Sequence, residues 1–140
     1  MEKIIDIFSE LGNRLVNFGD DDSSRDIITD AIADNPWFTL KDIVRSVEAI
    51  RSEMLDRHKL TEWLSQYPAP TTTPRNVAVI MAGNIPLVGF FDLLCTLCSG
   101  HKIYTKPSSK DSVLIGFIID QLKQIDSSLP IYKYSSTDSY

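Results

Sequence analysis

The chain has 140 residues, of which 43% are hydrophobic and 24% charged, and its formal net charge is -5. That length suffices for one domain with a core of its own. The acidic balance argues against a nucleic-acid partner, which selects for a basic stripe.

The first part, residues 1–67, reads as a helical lead-in. Ile4, Ile5, Phe8, Leu11, Leu15 and Phe18 recur on one helical face. Gly19 and the acids Asp20, Asp21 and Asp22 break that pattern. Ser23 and Ser24 then offer N-caps for a helix carrying Ile27, Ile28, Ala31 and Ile32, which Asn35-Pro36 ends. Thr39 and Asp42 stand in a capping-box-like spacing. Behind them Leu40, Ile43, Val44, Val47, Ile50 and Met54 form the stripe of an amphipathic helix. Leu60, Trp63, Leu64 and Tyr67 continue the helical character. Trp37, Trp63 and Tyr67 are expected in the core.

Pro68, Pro70 and Pro74, with three threonines among them, make residues 68–75 a stiff connector. After it the period changes. Residues 77–81, VAVIM, form an apolar run of strand length, suited to a parallel strand buried on both faces. Pro86 fits the first turn of a helix, and residues 87–98 are almost wholly apolar, as in a deeply buried helix. Gly100 closes it. Ile103, Tyr104 and Thr105 predict a second strand. Ser108 or Ser109 is the expected cap of a last helix, with Asp111 in its first turn. Val113, Ile115, Phe117, Ile118, Ile119, Leu122 and Ile125 carry that helix, and residues 130–134 begin a third strand. The fold class is therefore α/β, a helical segment followed by an incomplete Rossmann-like parallel sheet over residues 76–140. An unfinished parallel sheet leaves an apolar edge, so the chain is expected to be the amino-terminal piece of a longer protein.

The amino terminus, MEKIIDIFSE, is not a secretory signal, and no apolar run has the length of a membrane span. Two cysteines imply no disulfide framework, so a reducing cytoplasm is the default expectation. No phosphate-loop, GxGxxG, HExxH or GxSxG pattern occurs. Cys95, Cys98 and His101 are spaced three apart, but they lie on an apolar helix and its exit without a fourth ligand, so no metal is expected. Asn84 follows the first strand at the end where ligands gather in open α/β sheets. Its amide can donate to an oxyanion without changing charge. It can equally be a turn asparagine. Lys106 ends the second strand, within reach of a ribose hydroxyl or phosphate, or simply exposed before a proline.

GNIPL at 83–87, then FDLLCTLCSG at 91–100 and KIYTKPSSKD at 102–111, resembles the fatty acyl-CoA reductase family of bacterial luminescence. That family belongs to the aldehyde dehydrogenase superfamily. AGNIPL is similar to the superfamily's proline-tryptophan-asparagine-phenylalanine-proline stretch, with Asn84 at the asparagine. Gly100 to Pro107 resembles its glycine-asparagine, apolar strand, lysine-proline element. Gly83 replaces the tryptophan and His101 the second asparagine. NPWFT and LTEWLSQYP resemble the family's helical lead-in.

The resemblance implies a sheet of the aldehyde dehydrogenase type. It also implies a parent enzyme that reduces a fatty acyl thioester, on coenzyme A or acyl carrier protein, to an aldehyde. A cysteine acyl-enzyme and a nicotinamide cofactor belong to that chemistry. By the same resemblance Asn84 is the catalytic oxyanion donor, and Ala82, Gly83, Lys106, Ser108 and Ser109 contact the cofactor. Many NAD-using relatives carry a glutamate where Ser109 stands. Serine does not repel a 2′-phosphate, so NADP is expected, with NAD the alternative. The family's catalytic cysteine and glycine-rich turn come later in its chain, so these residues alone should be inert. Any homo-oligomer would form through the missing part. The competing reading is a non-catalytic interaction module whose turns only look like the family's.

Overall fold

The computed structural model describes residues 1–136. Four helices come first. α1 (Glu2–Arg14) buries Ile5, Phe8 and Leu11, with Glu2 and Arg14 placed to favour its dipole. α2 (Asp22–Asp34) is capped by Asp21, whose carboxylate accepts from the Ser24 N–H at 2.8 Å. This corrects the expected Ser23 or Ser24 cap. Ser24 is buried one turn in, and its hydroxyl accepts from the Gly19 N–H at 2.8 Å. α3 (Leu40–Glu53) begins at Thr39 as its spacing predicts, the hydroxyl accepting from the Asp42 N–H at 3.1 Å. Asp56 caps α4 (Arg57–Leu64) in the same way.

The second part alternates strand and helix. β1 (Asn76–Ile80), α5 (Phe90–Cys98), β2 (Lys102–Lys106), α6 (Ser112–Ile125) and β3 (Ile131–Lys133) follow in order. The strands form a parallel sheet in the order β1-β2-β3, with Val77 opposite Ile103 and Ile103 opposite Ile131. The α/β class and the open parallel sheet match the sequence reading. Only the middle strand is well buried, with Ile103 and Thr105 inside. β1, expected to be buried on both faces, is an edge strand. Its centre is half-buried, and Ile80 is 62% exposed.

The helix expected from Pro86 starts later. Leu87 has φ +60°, outside helical geometry, so residues 85–89 form a turn and α5 begins only at Phe90. Gly100, with φ +87°, closes α5 as expected. The cap position of α6 is Asp111, not Ser108 or Ser109, and its carboxylate makes no capping bond to the helix.

The lead-in helices and the sheet helices share one cluster of buried side chains. Phe8 of α1 meets Phe90 of α5 edge-on, ring centroids 6.3 Å apart. Phe18 meets Phe117 of α6 at 5.6 Å. Arg14 donates to Gln121 and Gln124 of α6 at 3.2 and 3.0 Å. Two expected core aromatics lie outside it. Trp37 is 91% exposed, because the tight turn in which the Phe38 N–H donates to the Asn35 carbonyl sends Phe38 inward instead. Tyr67 is exposed, edge-on to a half-buried Trp63. No helix among the described residues is long and apolar enough to cross a membrane.

Candidate functional site

Parallel pairing sends the carboxyl ends of β1 and β2 to the same edge of the sheet. The loops that leave there, residues 81–89 and 107–111, come together. The Met81 N–H extends the ladder to the Lys106 carbonyl at 3.0 Å. Beyond it Gly83 is pressed against the second loop. A Cβ at Gly83 would lie 2.4 Å from Ser108 Oγ, 2.7 Å from Ser108 Cβ and 2.9 Å from Lys110 Cβ. Only glycine permits that approach.

All six residues nominated from the sequence therefore sit on this edge. Ala82 is exposed and Gly83 half-buried. Asn84 is exposed, and its side-chain amide has no protein partner among the described residues. Lys106 is exposed, its Nζ 5.7 Å from the centre of the Tyr134 ring. Ser108 turns its Oγ back to accept from the Lys110 N–H at 3.1 Å. Ser109 is exposed. The arrangement presents the neutral Asn84 amide, the exposed lysines Lys106 and Lys110 and the exposed Ser109 along one edge.

Two buried polar residues that the sequence did not nominate hold the first loop. Asn35, 4% exposed at the end of α2, donates from Nδ2 to the Gly83 carbonyl at 3.3 Å. Its Oδ1 accepts from the Trp37 N–H at 3.1 Å. Asp111, 6% exposed, accepts from the Leu87 N–H on Oδ2 at 2.7 Å. Its Oδ1 has no protein partner among the described residues. Burial pushes the Asp111 carboxyl up to about 6, against the opposing pull of the Leu87 N–H.

The cysteines lie elsewhere. Cys95 is half-buried inside α5, and burial, with the charge of Asp92 added, raises its thiol pKa. Burial pushes Cys98 up to about 12. A low-pKa thiolate needs an electropositive, partly exposed setting, which neither has. His101 Nδ1 accepts from the Arg75 N–H at 3.0 Å, at the entrance to β1. Among the described residues no group of three His, Cys, Asp or Glu could hold a metal ion. A separate cleft of about 500 Å³ lies between α4, the connector and α5, with Trp63, Tyr67, Phe91 and Cys95 in its wall.

A family model described as Acyl-CoA reductase (LuxC) matches residues 37–137, which takes in both loops. No curated protein and no solved structure matches the chain.

Proposed function

The chain belongs to the LuxC acyl-CoA reductase family, and on that premise we propose that it is the amino-terminal part of an enzyme reducing a fatty acyl thioester to an aldehyde. The thioester is carried on coenzyme A or acyl carrier protein, and the reductant is NADPH. One observation carries this reading above the others. The loops after β1 and β2 meet at the ligand edge of the sheet with the Asn84 amide and the Lys106 ammonium both exposed.

Asn84 is the oxyanion donor. Attack on a thioester carbonyl puts negative charge on its oxygen, and a neutral amide donor stabilises that charge without giving up a proton. This edge is the proposed seat of the dinucleotide. Gly83 lets the two loops close on each other with Ser108 packed against it, and beside that contact Lys106 can reach a ribose hydroxyl or phosphate and Ser109 can accept or donate. The carboxylate in the second loop, Asp111, is buried and turned to Leu87. No exposed acid of that loop repels a 2′-phosphate, which favours NADP over NAD. The nicotinamide, when bound, supplies hydride.

Cys95 and Cys98 serve packing, and the nucleophile comes from another part of the enzyme. The 140 residues should therefore bind cofactor and reduce nothing. Calorimetric titration with NADPH and NADH tests this. Losing a charge-assisted contact costs about 1.5–3 kcal/mol, so Lys106→Ala should weaken NADPH binding roughly tenfold or more. Equal binding by the variant, or thioester reduction by this chain alone, would count against the reading.

A further inference from the structure

We propose that Asn35 and Asp111 are positioning residues that clamp the 81–89 loop on either side of Asn84; this rests on Asn84 as the oxyanion donor. The loop leaves the sheet ladder after Met81 and joins α5 only at Phe90. Ala82, Asn84, Ile85 and Val88 along it are exposed, whereas Pro86, Leu87 and Gly89 are buried. The stretch around Asn84 has little burial of its own to fix it, yet an oxyanion donor must be held to within about 0.5 Å.

Two side chains from other elements fix it. Asn35 takes the Gly83 carbonyl, immediately before Asn84. Asp111 takes the Leu87 N–H, three residues after it. One anchor ends α2 and the other opens α6, so the loop, beyond its own turn bonds from Val88 to Ile85 and from Phe90 to Leu87, is tied to two helix ends. The second anchor also secures a strained backbone, since Leu87 is a non-glycine residue at φ +60°. Burying a carboxylate with one oxygen unpartnered is costly. An apolar residue would pack there more cheaply, and what the carboxylate gives in return is the position of the loop.

Native-state hydrogen exchange on the 140-residue chain reads the clamp directly. Asp111→Ala should speed exchange of the Leu87 amide at least tenfold while the Ile103 and Leu122 amides keep their rates. Asp111→Asn, whose carboxamide oxygen accepts the same N–H, should restore protection. In the full-length enzyme Asn35→Ala and Asp111→Ala should each lower kcat about tenfold at unchanged KM for the thioester. Neither should lower it further in an Asn84→Ala background, because both act through Asn84. Unchanged Leu87 exchange in Asp111→Ala overturns the proposal, as does a full additional loss on top of Asn84→Ala. If Asn84→Ala itself keeps wild-type turnover, the oxyanion role falls, and the exchange result alone then decides whether the clamp exists.

Discussion

Replacing Asp111 with asparagine removes a charge and keeps the shape and the acceptor for Leu87. The carboxyl sits at about 6 in the folded chain against an ordinary value of 3.8; burial raises it, against the opposing pull of the Leu87 N–H. Well below pH 4 both states hold the proton, so the group costs nothing. Between about pH 4 and 6 the folded chain still holds a proton that the unfolded chain has released. Wild-type stability therefore falls as pH rises through that window, and the loss is complete above it. At about 1.4 kcal/mol per pH unit the ceiling is ~3 kcal/mol. Water reach and relaxation bring the expected figure to about 1–2 kcal/mol. The substituted carboxamide does not titrate, and any pH-independent cost of its buried NH2 cancels in the comparison. The stability difference between Asp111→Asn and wild type should thus move in favour of the variant by about 1–2 kcal/mol from pH 4 to pH 8. For a chain of this size that is a relative shift of roughly 3–8 °C in Tm. Thermal unfolding followed by circular dichroism at a series of pH values measures it. A difference that stays flat from pH 4 to pH 8 would refute the account of the buried carboxylate.

Phe8→Ala empties a site that α1 shares with Phe90 of α5 and should cost about 3–5 kcal/mol. Urea unfolding should remain a single transition for lead-in and sheet alike; a separate, unaffected transition of the sheet part would contradict the shared core. Gly100→Ala places a Cβ 3.0 Å from the Thr71 carbonyl oxygen at φ +87°. It should destabilise by about 1–3 kcal/mol, read from the urea midpoint, and wild-type stability would show that the turn relaxes freely.

Local patterns made the helices and strands legible. The stripe through Leu40, Ile43, Val44, Val47, Ile50 and Met54 and the Thr39 cap are set within a few residues; the cap stands as read, and the stripe does except at Leu40, which is 54% exposed. The apolar run of β1 announced a strand, but its burial depends on what pairs beside it, which periodicity does not record. Trp37 was the expected core residue, but the turn closed by Asn35 sends its neighbour Phe38 inward, which no local pattern records. The ends of helices misled where a polar side chain had a distant partner. Asp111 looked like a first-turn acid, yet its partner lies 24 residues earlier. Asn35 looked like a helix stop, yet it reaches 48 residues along the chain to Gly83. The exposed half of the candidate site, Asn84 and Lys106, followed from strand ends. Its buried support is a tertiary arrangement and left no local signal.

The exposed Asn84 amide is proposed to meet the oxyanion of a thioester substrate. Steady-state turnover of the full-length enzyme with a long-chain acyl-CoA and NADPH, wild type against Asn84→Ala, tests it most directly. A fall in kcat of about 10²–10³-fold is expected, with KM for the thioester little changed. Turnover by Asn84→Ala at the wild-type rate would contradict it.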